Sequence, residues 1–278
     1  MKNILKIMLM MITIFTIAGS AVYAAEIPVS DQDQLITSRD WTEISNLQDE
    51  MKKEEPDATI DYDKALKVYV DCNLIKLQTA DTKKLTSALE SANYVWVIPF
   101  KMEKTYGMFT VAKGLPLREE AKSVLTKAEQ EEVKNHAGKW MITEIAEHTV
   151  EPYYDILLEK REALSDCTRV VLVGSQPGMR QPVALGMDDE TARIWISLGY
   201  QYPVMEKIPE TQNVESGVYS FDSVAEISDT YIEDSEVSTG AGVQSRSSMK
   251  YVAGIGIVLI GSILILSVLK KKKIKSED

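Results

Sequence analysis

The sequence predicts an α+β fold: a single extracytoplasmic domain with a mixed or antiparallel sheet and several helices, then a disordered acidic stalk and one C-terminal transmembrane helix. Three observations predict it. The element order along residues 39–200 is a helix followed by β-α-β-β-α-β-α-β-β-β, its last three strand signals succeed one another as a meander, and residues 60–200 are long enough for one core of ordinary domain size. No repeat of fixed period interrupts this order.

The first helix is written in Trp41, Ile44, Leu47 and Met51, which recur at intervals of three and four behind Asp40 as a candidate cap, until Glu55 and Pro56 end the run. From Ala65 to Val70 the period changes to two. Leu66, Val68 and Val70 share one face and Lys67, Tyr69 and Asp71 the other, the pattern of a half-exposed strand. Asp81 to Ala92 reads as a helix with Leu85, Ala88, Leu89 and Ala92 inward and Asn93 as its C-cap. Tyr94 to Phe100 is apolar on both faces, a buried strand whose Pro99 marks its end or an edge, and Met108 to Ala112 returns beside it after a turn.

Leu117 to Ala137 is helical by composition, with Gly138 as its stop and with Thr126 and Glu129 as a capping box that would divide it in two. Trp140 to Ile145 reads as a short strand, and Pro152 to Leu164 as a helix with Ile156, Leu157 and Leu164 inward. The meander follows: Arg169 to Val173, Pro182 to Met187 and Thr191 to Leu198, separated by turns at Gln176-Pro177-Gly178 and Asp188-Asp189. Trp195 points opposite Ile194 and Ile196, so it is either exposed, where it is a candidate for stacking on a ligand, or covered by a helix.

Residues 25–38 carry few apolar groups and read as a flexible leader. After Tyr200 acids dominate, Lys207 is the one base between Glu206 and Glu236, and the stretch STGAGVQSRSS follows. Residues 201–250 therefore read as an acidic low-complexity stalk, with Val218 to Ile232 as the part apolar enough for a further strand or helix.

Tyr251 to Leu269 holds no charge. At a rise of about 1.5 Å per residue such a helix spans roughly 28 Å, close to the hydrocarbon thickness of a bilayer. Lys270, Lys271, Lys272 and Lys273 follow at once as a stop-transfer signal, which places the basic tail 270–278 in the cytoplasm. Lys2 and Lys6 ahead of an apolar run and the small-residue end Val22-Tyr23-Ala24 make residues 1–24 a signal peptide; left uncleaved it would be a second span. The expectation is a single-pass type I plasma-membrane protein with residues 39–200 as its domain outside. Neither an Asn-x-Ser/Thr acceptor nor a lipoprotein cysteine occurs, and the Lys-, Ile- and Asn-rich start fits a bacterial surface.

The whole chain carries a net charge of −11. Setting aside the two lysines of the signal and the five lysines and two acids of the span and tail leaves about −16 between them, a field that repels nucleic acid and anionic lipid. Cys72 and Cys167 are the two cysteines, both outside the membrane, and an oxidising compartment favours a disulfide between them over two free core thiols or a catalytic cysteine. His136 and His148 lack zinc-ligand spacing, Gly174 to Gly178 lacks the glycine spacing of a nucleophile elbow, and Asp188-Asp189 reads as a soluble turn. No cofactor cradle is written in the chain, so no cofactor is expected. Together these point to a membrane-anchored cell-surface binding module of unknown ligand. Its expected partners are the bilayer and either a membrane protein or a cell-envelope ligand. The alternative is a surface-anchored hydrolase whose carboxylates meet only in the fold.

Overall fold

The computed structural model describes residues 27–234 apart from 149–150, 175, 180, 200–203 and 209–212. The fold is a mixed α/β arrangement with a large sheet and several helices. Among the described residues the strands are β1 (Thr59–Ile60), β2 (Leu66–Tyr69), β3 (Tyr94–Lys101), β4 (Tyr106–Lys113), β5 (Trp140–His148), β6 (Arg169–Val173), β7 (Val183–Met187), β8 (Ala192–Ser197), β9 (Asn213–Glu215) and β10 (Val218–Ser220). They lie in the order β5-β4-β3-β2-β6-β7-β8-β10-β9, with β1 beside β3.

Among these pairings only β2 with β6 is parallel, so two antiparallel half-sheets meet along one seam. That seam is short. β2 and β6 pair at Val68↔Leu172 and Tyr69↔Val173, and below these residues the chain's own N-terminal segment lies between them. Val29 bridges to Val170 on one side and Gln34 to Leu66 on the other. Two backbone bonds fix the segment, Val170 N–H donating to Pro28 O at 2.7 Å and Leu35 N–H to Ala65 O at 3.1 Å.

Alternation along the strands sorts the core into layers. On one face, here the front, two clusters sit side by side. Trp96, Ile98, Phe100, Phe109, Val111 and Ile142 of one half-sheet pack under Leu35, Ile44 and Met51 from the N-terminal segment and its helices Trp41–Ile44 and Gln48–Glu54. Val171, Val173, Leu185 and Trp195 of the other half pack under Leu85 and Leu89 of the Thr82–Ser91 helix and Phe221 and Val224 of the Phe221–Asp234 helix. On the back, Leu66, Val68, Val170, Leu172 and Ile196 meet Tyr153, Ile156 and Leu157 of the Tyr153–Glu159 helix, with Ile27 and Val29 completing the layer.

Local chemistry explains several elements. The Thr82–Ser91 helix starts at Asp81, whose carboxylate accepts from Lys83 N and Lys84 N. Thr126 and Glu129 form a reciprocal capping box, so the 117–137 region is two helices, Glu119–Lys122 and Lys127–His136. Gly107 faces the Phe100 ring so closely that an added Cβ would lie 2.1 Å from Cζ, and only hydrogen fits there.

Several expectations are corrected. Residues 25–38 are not a leader over their described part, because Ile27, Val29, Asp33 and Leu35 are buried in the seam. The domain does not end at 200: β9 and β10 extend the sheet and the Phe221–Asp234 helix covers it, so a stalk cannot begin at 201. β2 is not half-exposed, since Lys67 and Tyr69 are both buried beneath the N-terminal segment and its neighbours. Pro99 lies inside β3 where its flank passes from β2 to β1, a local break in pairing that tolerates the missing N–H. The expected signal peptide (1–24), span (251–269) and Lys270, Lys271, Lys272 and Lys273 lie outside the described residues. Among the described residues no helix is long and apolar enough to cross a membrane.

Candidate functional site

Between the two apolar clusters of the front face, the seam is polar. Register puts Lys67 and Tyr69 of β2 and Arg169 of β6 on this face, and a charge held there needs a partner because water is excluded. Asp33 supplies it. The segment that crosses the seam makes a single 3-10 turn, Asp31–Asp33, and this turn lowers the Asp33 side chain into the gap until the residue is 2% exposed.

Four groups converge on the Asp33 carboxylate. Ser30 Oγ donates at 2.6 Å and Arg169 Nη2 at 3.1 Å to Oδ2; Tyr69 Oη donates at 2.8 Å to Oδ1, and Lys67 Nζ lies 3.4 Å from the same oxygen. Burial alone would raise this carboxyl, but the two hydroxyl donors and the charges of Arg169 and Lys67 outweigh it and hold Asp33 below the usual carboxylate range. The Arg169 Nε, also buried, has no hydrogen-bond partner.

Lys67 sits in an aromatic cage. Its ammonium is 4.7 Å from the centroid of Tyr94, 5.2 Å from Trp96 and 5.7 Å from Tyr69, and it also donates to the carbonyl of Gln32. Burial pushes this amine down from its ordinary value, and Asp33 opposes the shift. Asp40 closes the cage from outside: its Oδ2 accepts from Tyr94 Oη at 2.8 Å and Trp96 Nε1 at 3.1 Å. Asp40 therefore occupies the N-cap position of the Trp41–Ile44 helix without capping it, because its carboxylate is engaged with β3 instead. Arg39, largely exposed, lies 3.9 Å from Asp40 Oδ1 at the rim.

Chemically the arrangement is a receptor for one oxyanion. A guanidinium, an ammonium and a phenol reach the same carboxylate from opposite half-sheets. Among the described residues no group of three or more His, Cys, Asp or Glu is placed to hold a metal ion. A shallow surface cleft lined by Asp57, Thr59, Lys101, Met102 and Glu103 lies at the far end of β1 and β3, away from this seam.

The residues singled out by sequence lie elsewhere, and two assignments are corrected. Cys72 and Cys167 are free and buried rather than bridged: Cys72 belongs to the front cluster and Cys167 to the back one, so the sheet stands between them. Burial pushes each thiol up to about 11, the opposite of an activated nucleophile. Trp195 offers no surface for ligand stacking. It is fully buried and its ring stacks on Phe221, centroids 5.6 Å apart and planes 12° from parallel. Asp188 is a turn residue that accepts from Glu190 N and Thr191 N and pairs with Arg193. Gln176, in the stretch that resembles an elbow, ties the loop after β2 to the loop after β6 through Leu74 N, Cys72 O and Gly174 O.

Sequence reasoning missed Asp33, Lys67 and Arg169. Lys67 between Leu66 and Val68 reads as the exposed position of an alternating strand, and Asp33 sits in a segment with no periodicity at all. Comparison with protein-family models, with curated proteins and with solved structures returned no match.

Proposed function

We propose that the chain is a membrane-anchored, extracytoplasmic binding module, a single-pass type I protein of a bacterial plasma membrane whose N-terminal domain lies outside and whose lysine-rich tail is cytoplasmic. The observation that carries this reading is the charge-free stretch Tyr251 to Leu269 with Lys270 to Lys273 immediately behind it, preceded at the other end of the chain by a signal-like start. The domain suits presentation rather than turnover. Its convergent charges, Asp33, Lys67 and Arg169, are spent on holding two half-sheets together under an N-terminal segment.

In this reading residues 235–250 are what remains of the stalk. Output then depends on a partner protein in the same membrane or on an envelope ligand; nucleic acid is not a partner of so acidic a domain. Protease shaving of intact cells tests the topology: loss of the domain with a cytosolic marker intact is expected, and complete protection of the domain would overturn it. Crosslinking and pull-down from intact membranes tests the binding role, and recovery of neither a membrane partner nor an envelope polymer would sink it.

A further inference from the structure

We propose that the seam between β2 and β6 is an acceptor groove for an acidic peptide that crosses it in one tight turn, filled in the resting molecule by the chain's own segment Ile27 to Leu35. The inference rests on the binding-module reading and names the ligand class and the site.

The groove has the two features such a ligand needs. Both sides of the groove present backbone groups, Val170 N–H of β6 and the Ala65 carbonyl just before β2, so a bound chain is held by main-chain bonds to both half-sheets. At its centre Lys67, Arg169 and Tyr69 converge on a single carboxylate, and apolar side chains fill the positions on either side, as Ile27, Val29 and Leu35 do. These contacts specify an acid on a tight turn flanked by hydrophobes. The resident segment is one such sequence, and it enters the sheet through isolated bridges rather than a full ladder. Releasing it breaks few backbone bonds, uncovers Ile27, Val29 and Leu35 and leaves two cations facing an open groove. A competing acidic segment from a partner restores the same contacts, so exchange costs only the opening.

The probe is a synthetic peptide of the resident sequence, IPVSDQDQL, added in excess to the purified full-length protein, with the exchange rate of the protein's own Leu35 amide hydrogen as readout. A ligand that binds only the opened groove multiplies the open population, so exchange is expected to rise roughly tenfold at a peptide concentration ten times its dissociation constant. The peptide with alanine in place of its second aspartate, and inorganic phosphate, are expected to leave the rate unchanged. In the Asp33→Ala protein the wild-type peptide is expected to bind at least about tenfold more tightly, because the resident segment has lost its central contact. No acceleration by the wild-type peptide at millimolar concentration overturns the proposal, as does equal acceleration by the alanine peptide or by phosphate. The wild-type measurement stands even if Asp33→Ala does not fold. A partner recovered by crosslinking while the peptide leaves Leu35 unmoved would keep the binding module and remove this site from it.

Discussion

Arg169 Nη2 and Asp33 Oδ2 lie 3.1 Å apart although 136 positions separate them in the chain. Together with Lys67 they tie the N-terminal segment to both half-sheets at the one place where the sheet is parallel and short of hydrogen bonds. Truncating Asp33 leaves the buried Lys67 and the partly buried Arg169 without their shared anion. Asp33→Ala is therefore expected to destabilise the protein by about 3–5 kcal/mol, read from the urea midpoint at unchanged slope. A loss below about 1 kcal/mol would show that the cluster is hydrated and that its charges need no partner.

The same carboxylate makes stability depend on acid. Its folded pKa lies below the value it has in the unfolded chain, so its contribution is present above the unfolded pKa and is lost as pH falls through the folded one. Stability should fall below about pH 4, and Asp33→Asn should lie below wild type at pH 7 while losing less on acidification. Urea midpoints measured from neutral pH down to about pH 2.5 for both proteins check this. Parallel curves would mean that other carboxyls set the acid limb.

Much of the scaffold was legible because its signals are local. Leu85 and Leu89 four apart, the Thr126 and Glu129 box, and the β-branched run before Gly174 each declare an element without reference to the rest of the chain. The seam was illegible for the opposite reason. Lys67 reads as solvent-facing under strict alternation, and only a segment arriving from more than thirty positions upstream, with Asp33 in it, makes its burial affordable. The 27–35 segment itself has no period, since it enters the sheet by single bridges and a 3-10 turn. The pairing of Cys72 with Cys167 failed on geometry, because the sequence does not say on which face of the sheet each emerges.

The thiols give a direct check. Under denaturing, non-reducing conditions two free thiols per chain are expected, and in the native protein both should react slowly, since each is buried and its pKa is pushed up to about 11. Detection of a Cys72–Cys167 crosslinked peptide by mass spectrometry would contradict the placement of the two residues on opposite faces.

Gly107 tests the packing of β4 on β3. Because a Cβ there would lie 2.1 Å from Phe100 Cζ, and Phe100 already packs against Phe109 at 4.6 Å between centroids, the ring must shift within a packed cluster. Gly107→Ala is expected to cost about 1–3 kcal/mol or more, although alanine ordinarily suits a strand as well as glycine does. Restored stability in a Gly107→Ala, Phe100→Leu double variant would identify the clash as the cause, and an unchanged single variant would refute it.

The last expectation concerns where the domain ends. Trp195 is fully buried because Phe221 stacks on it, and Val224 on the same helix packs into the same cluster. The Phe221–Asp234 helix is thus a core element, joined to the sheet through β10, whose Tyr219 stands opposite Trp195 on β8. If residues 201–250 were all stalk, cutting there would leave the domain intact. Phe221→Ala is instead expected to cost about 3–5 kcal/mol, the range for emptying a packed aromatic site. It should also shift Trp195 emission to longer wavelength, read as the difference from the Trp195→Phe protein. Removing residues from 218 onward should prevent folding of the remaining domain, because it uncovers Trp195 and frees the edge of β8 together. A chain ending at 200 that unfolds as cooperatively as the full protein would return 201–234 to the stalk.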